Sequence, residues 1–138
     1  MELKTKVQAE GSKQELLITR EFDLSVELLY KAYEDPALFE QWMETRVLIY
    51  ECKKQGGYRF ETSHGGKVVF SAHGVFPDVV PNQKITRTFE MENRSFPVQL
   101  EFLEFEKLTG ETSKLIMHII FKSVEYRNQL LQLPFEKG

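Results

Sequence analysis

The 138-residue sequence predicts an α+β fold in which a long, curved antiparallel sheet grips a C-terminal helix, with two short helices inserted near its start. Three observations predict it. The hydrophobic period changes from helical spacing to two-residue alternation near Val47. The alternating segments beyond that point are separated by hairpin-length turns, so neighbouring strands run antiparallel. An Asp35-Pro36 break divides the preceding helical region into two short pieces.

Residues 1–13 are polar and end in Gly11-Ser12, which predicts a frayed or loosely paired start. Glu15 to Phe22 is rich in strand formers, with Leu16, Ile18, Arg20 and Phe22 on one face and Leu17, Thr19 and Glu21 on the other. Ser25 suits an N-cap, and Glu27 suits the positive end of a helix dipole. Val26, Leu29, Ala32 and Tyr33 then recur at helical spacing. Pro36 stops that helix and fits the first turn of the next, Ala37 to Met43, which contains the chain's one tryptophan, Trp42. Six strand candidates follow, at 47–52, 58–62, 67–76, 84–91, 97–107 and 113–122, divided by Gly-, Pro- and Asn-containing turns. The last alternates cleanly, with Leu115, Met117, Ile119 and Phe121 against Lys114, Ile116, His118 and Ile120. Val124 to Leu133 returns to helical spacing until Pro134 interrupts it. That order of elements is a helix-grip fold, and residues 1–138 read as a single domain.

Composition narrows the function classes. Eleven Phe, five Tyr and one Trp are enough flat side chains to fill a wide core or line an apolar pocket. A net charge of −3, with lysines and arginines scattered among acids, offers no footprint for nucleic acid or anionic lipid. The single cysteine, Cys52, excludes an internal disulfide and fits a reducing compartment. The N-terminal residues lack the apolar core of a signal peptide, and no apolar run is long enough to span a membrane. The expectation is a cytoplasmic protein with no membrane insertion.

The run Asp23-Leu24-Ser25-Val26-Glu27-Leu28-Leu29-Tyr30-Lys31-Ala32-Tyr33-Glu34-Asp35-Pro36-Ala37-Leu38-Phe39-Glu40-Gln41-Trp42 resembles the opening of the SRPBCC (START-like) superfamily. The similar branch is the activator-of-heat-shock-protein-ATPase-like family. Gly57-Tyr58-Arg59-Phe60, His73-Gly74-Val75-Phe76, a turn containing Pro81 and Lys84-Ile85-Thr86-Arg87-Thr88-Phe89 carry the likeness further, over about residues 15 to 130. The resemblance implies a birch-pollen-allergen-like sheet wrapped around a long C-terminal helix, with a cavity between them. It also implies a range of uses, from chaperone cofactor linked to stress response, through carrier of lipids or other hydrophobic ligands, to cyclase. The sequence departs from the pattern at Pro134, which predicts a C-terminal helix shorter than the family's, short or truncated. Apolar surface left uncovered by such a helix predicts a homodimer.

The residues supply no catalytic constellation. His64, His73 and His118 lack metal-ligand spacing, so no metal is expected. Gly56-Gly57 and Gly65-Gly66 open no helix and precede no Lys-Ser/Thr, so no phosphate loop or cofactor is expected. His73 precedes Gly74 within a strand and is the candidate general base, but no Ser-His-Asp order or G-x-S-x-G motif accompanies it. Arg59 and Arg87 are candidate anchors for a ligand head group, or cross-strand partners of Glu61, Glu90 or Glu101.

The leading expectation is a non-enzymatic protein binding a small apolar or amphipathic ligand between sheet and C-terminal helix. Its candidate lining is Trp42, Tyr58, Phe60, Phe70, His73, Phe76, Arg87, Phe89, Met117 and Phe121. The resemblance implies two alternatives. One is a co-chaperone-like module that stimulates a heat-shock-protein ATPase. The other is a polyketide-cyclase-like enzyme using His73 or Arg87 with a cavity carboxylate such as Glu104.

Overall fold

The computed structural model describes residues 2–8, 13–92 and 96–131. In chain order the elements are β1 (Glu2–Gln8), β2 (Glu15–Phe22), α1 (Val26–Glu34), α2 (Pro36–Met43), β3 (Arg46–Tyr50), β4 (Gly56–His64), β5 (Lys67–Phe76), β6 (Asp78–Val80), β7 (Lys84–Met91), β8 (Gln99–Lys107), β9 (Ser113–Ile120) and α3 (Val124–Leu131). Among the described residues the strands form one nine-stranded antiparallel sheet in the order β1-β2-β9-β8-β7-β5-β4-β3, with the short β6 paired to β7. This is the curved α+β sheet with three helices that the period change predicts.

Two details differ from expectation. Residues 2–8 form a strand on the edge of the sheet, paired to β2 from Gln8↔Leu17 to Glu2↔Phe22. An edge strand buries little side-chain surface, so Thr5 to Gln8 are exposed and their polar sequence gives no strand signal. The three-residue β6 also escapes periodicity, being too short to alternate visibly. The final helix extends to Leu131 among the described residues, and the expected end at Leu133 and Pro134 lies outside them.

Local chemistry sets the helical pair. The Ser25 hydroxyl accepts a hydrogen bond from Leu28 N at 3.2 Å, capping α1. Asp35 serves both helices. Its backbone N–H donates to the Lys31 carbonyl at 2.9 Å, and its carboxylate accepts from Ala37 N at 2.8 Å and Leu38 N at 3.3 Å. Glu44, left-handed at φ 53, closes α2.

All three helices lie on one face of the sheet, hereafter the inner face. Val26, Leu29, Tyr30, Tyr33 and Phe39 of the helical pair pack on Tyr58, Phe60, Phe76, Ile85, Leu103, Phe105 and Leu115 of the sheet. A second, smaller core of Leu16, Ile18, Ile119 and Phe121 lies beside it, with Leu130 and Leu131 of α3 packed against it. Arg127 anchors α3 by donating from Nη1 to the Lys13 carbonyl at 2.6 Å.

Candidate binding groove

Inside the sheet's curve, under the helical pair, the structure builds a buried polar cluster. Arg87 and Glu101 face each other across β7 and β8. Arg87 Nε donates to Glu101 Oε1 at 2.7 Å, and Gln99 Nε2 donates to Glu101 Oε2 at 2.7 Å. The two charged side chains are only 11% and 5% exposed. Burial alone would lower the pKa of the guanidinium. The Glu101 carboxylate, through its charge and its hydrogen bond, leads the effects that outweigh this and hold the pKa above its ordinary value.

Aromatic side chains wall this cluster. The guanidinium carbon lies 5.9 Å from the centroid of the Tyr58 ring. Tyr58 reaches across Gly74 to donate to the Thr88 carbonyl at 2.6 Å. A Cβ on Gly74 would meet that carbonyl oxygen at 2.0 Å and the Tyr58 ring at 2.7 Å, so only glycine permits the crossing. The Tyr50 hydroxyl donates to the Tyr33 carbonyl, joining β3 to α1. Burial raises both phenols well above the usual tyrosine range. Burial and Glu34 push the Cys52 thiol up to about 12, against the pull of Arg87. Cys52 therefore remains a thiol at neutral pH and is a poor nucleophile.

A second region has the opposite character. Between α1, α2 and β2 lies an open groove of about 550 Å³ lined by Arg20, Phe22, Leu24, Leu28, Leu29, Ala32, Tyr33, Leu38, Gln41 and Trp42. Leu28 is 55% exposed, Leu38 37% and Trp42 39%, so large apolar side chains stand in solvent along its walls. Trp42 is held in place there. Its indole N–H donates to the Ala32 carbonyl at 2.5 Å, and its ring lies 5.0 Å from Tyr33 and 5.5 Å from Phe39.

The residues named from sequence do not gather at one place. Trp42 lines the groove. Tyr58, Phe60 and Phe76 are buried in the main core, with Phe70, Phe89 and Met117 half-buried against it. Phe121 belongs to the smaller core beneath α3. Arg87 is buried against Glu101. His73 stands on the outer face opposite Glu90, with Nδ1 2.9 Å from Glu92 Oε2. Glu92 also accepts from Arg59 Nε at 2.9 Å, and chiefly this bond lowers its pKa. Glu104 is on the outer face as well, opposite Ile116 in the register, so the carboxylate that meets Arg87 is Glu101. His118 is on that same outer face, 2.6 Å from Glu15.

Comparison with known proteins places this architecture. The model of the activator of Hsp90 ATPase homolog 1-like proteins matches residues 23–134, most of the chain. The chain belongs to that family. No curated protein matches it. Among solved structures, protein Ms6760 from Mycobacterium smegmatis aligns with a TM-score of 0.81 at 19% identity, over 92% of this chain and 84% of that one. A Rhodobacter sphaeroides protein aligns with a TM-score of 0.82 at 20% identity, over 94% and 87%. An HSP90 activator from Plasmodium falciparum aligns with a TM-score of 0.60 at 16% identity, over 86% and 88%. At these identities the likeness is one of fold.

For this member of the family, the linear sequence marks little of the groove beyond Trp42. Leu28 and Leu38 carried the available signal: both are large apolar residues lying off the stripe that packs on the sheet. The Arg87 partner was visible too. Gln99 and Glu101 share strand parity with the buried Leu103 and Phe105, whereas Glu104 and Glu106 have the solvent-facing parity.

Proposed function

We propose that this chain is a non-enzymatic binding protein that holds a small apolar or amphipathic molecule in the groove between α1, α2 and β2. One observation carries the reading: the groove is about 550 Å³ and walled by exposed leucines and a tryptophan. Ligand pockets commonly occupy about 300–1,000 Å³ and are mostly apolar. His73 and Arg87 lie on opposite faces of the sheet, each already engaged by a carboxylate, which favours binding over polyketide-cyclase-like catalysis. Trp42 is the only tryptophan, so its fluorescence reports the groove directly. Titration with apolar and amphipathic compounds, flavonoid-like polyphenols included, is expected to give a saturable change for at least one class. No saturable change across the panel overturns the reading.

The family supports a second reading, a co-chaperone-like interaction module. Its model matches residues 23–134, and the fold is shared with the Plasmodium HSP90 activator. A chaperone ATPase assay with and without this protein tests it, and an unchanged rate removes it.

A further inference from the structure

We infer that the molecule held in the groove is an anionic amphiphile, its apolar body against Trp42, Leu28 and Leu38 and its acidic head group on Arg20. The inference rests on the binding reading above and narrows the class of ligand. The chain has 21 Asp and Glu residues, yet among the described residues the lining contains none of them, and the charged side chain that it does contain is Arg20.

Asp23, between the lining residues Phe22 and Leu24, is exposed and outside the lining, and several other acids near in sequence are directed elsewhere. Glu21 alternates with Arg20 along β2 and so takes the outer face, opposite Lys114. On α1 the groove is lined by Leu28, Leu29, Ala32 and Tyr33, one arc of the helix, while Glu27 and Glu34 fall on the other arc with Tyr30 and Lys31. Glu40 of α2 turns toward β3, where its carboxylate accepts from Val47 N at 2.8 Å.

The other polar groups of the lining, on Tyr33, Gln41 and Trp42, are uncharged. The indole N–H of Trp42 is committed to the Ala32 carbonyl, and Gln41 supplies a neutral amide. Arg20 has interactions of its own within the fold. A guanidinium nonetheless presents five N–H donors in a fork that matches carboxylate geometry, so it can engage an oxyanion alongside another partner. An apolar groove with one such cation favours a carboxylate-headed chain over the same chain with a hydroxyl, and disfavours an ammonium head.

Decanoate and decylamine below their micelle concentrations, and decanol below its solubility limit, titrated against Trp42 fluorescence, test this. Decanoate is expected to bind about tenfold or more tightly than decanol, since a hydrogen bond to a charged group is the stronger kind, and decylamine is expected to bind weakest. Arg20→Gln is expected to reduce the decanoate-to-decanol affinity ratio to about one, with circular dichroism confirming its fold. The wild-type ranking needs no variant: decanol or decylamine equal to or tighter than decanoate overturns the anionic class and leaves the groove as an apolar binding site. Failure of all three probes and of the wider panel overturns the binding reading itself.

Discussion

The interior cluster and the groove lie on the same side of the sheet and are inverted in polarity. Under the helical pair, charged Arg87 and Glu101 are buried and matched, with Gln99 and two tyrosines completing the surround. Beyond it, between α1, α2 and β2, leucines and the single tryptophan stand exposed. In the first region every named group has a partner inside the fold, which is the pattern of a structural network. In the second, large apolar side chains stay exposed among the described residues, a pattern common at interaction surfaces. The contrast teaches that the polar residues most suggestive of chemistry are matched within the fold, while plain leucines line the groove proposed to bind.

Perturbing the cluster should produce the largest effects. Glu101→Ala leaves Arg87 charged and buried without its carboxylate, and is expected to destabilise the protein by about 3–5 kcal/mol in urea unfolding. Replacing both residues, Arg87→Leu with Glu101→Leu, is expected to cost less than the single change, because no unmatched charge remains. A Glu101→Ala protein as stable as the parent would show that water reaches the pair.

Gly74→Ala comes next. Its methyl group collides with the Thr88 carbonyl and the Tyr58 ring, and overpacking of this kind costs about 1–3 kcal/mol. Loss of the Tyr58 hydrogen bond should be visible as a shifted tyrosine signal by NMR. An unchanged spectrum would place the ring elsewhere.

Alkaline pH should act on the same region more gradually. Cys52 and Tyr30 are both raised to about 12, so the folded state keeps protons that the unfolded chain has released. Their contribution is fully present below the ordinary thiol and phenol range and is lost as pH rises toward the folded values. The urea midpoint is therefore expected to fall between about pH 8 and about pH 11, and less steeply in Cys52→Ala. A midpoint that does not fall over that range would mean that these groups are hydrated.

The smallest stability effect belongs to the groove. Leu28→Gln removes an exposed apolar side chain and is expected to change stability by no more than about 0.5 kcal/mol. The same change should weaken any ligand detected through Trp42. A large loss of stability would instead make Leu28 part of the core and erase the contrast between the two regions.

Much of this was legible along the chain. Ser25, the Asp35-Pro36 break and the alternation of β9 are local signals, because caps, proline sterics and strand parity act over a few residues. β1 was not, since an edge strand needs no apolar alternation. His73 and Arg87 looked equivalent in sequence, as strand residues available to a cavity. Register separates them, placing His73 beside Glu90 and Arg87 beside Glu101 on opposite faces. The groove was the least legible part, because it depends on the angle between two helices and the position of a strand.

By itself the sequence determined the family and, β1 and β6 apart, the element types and their order, since periodicity, capping and motif are read within short windows. Tertiary structure decided which aromatic side chains became core, which carboxylate met Arg87 and where apolar surface stayed open. Those outcomes depend on contacts between residues distant in sequence, such as Tyr58 with the Thr88 carbonyl, and a linear pattern does not encode the distances that create them.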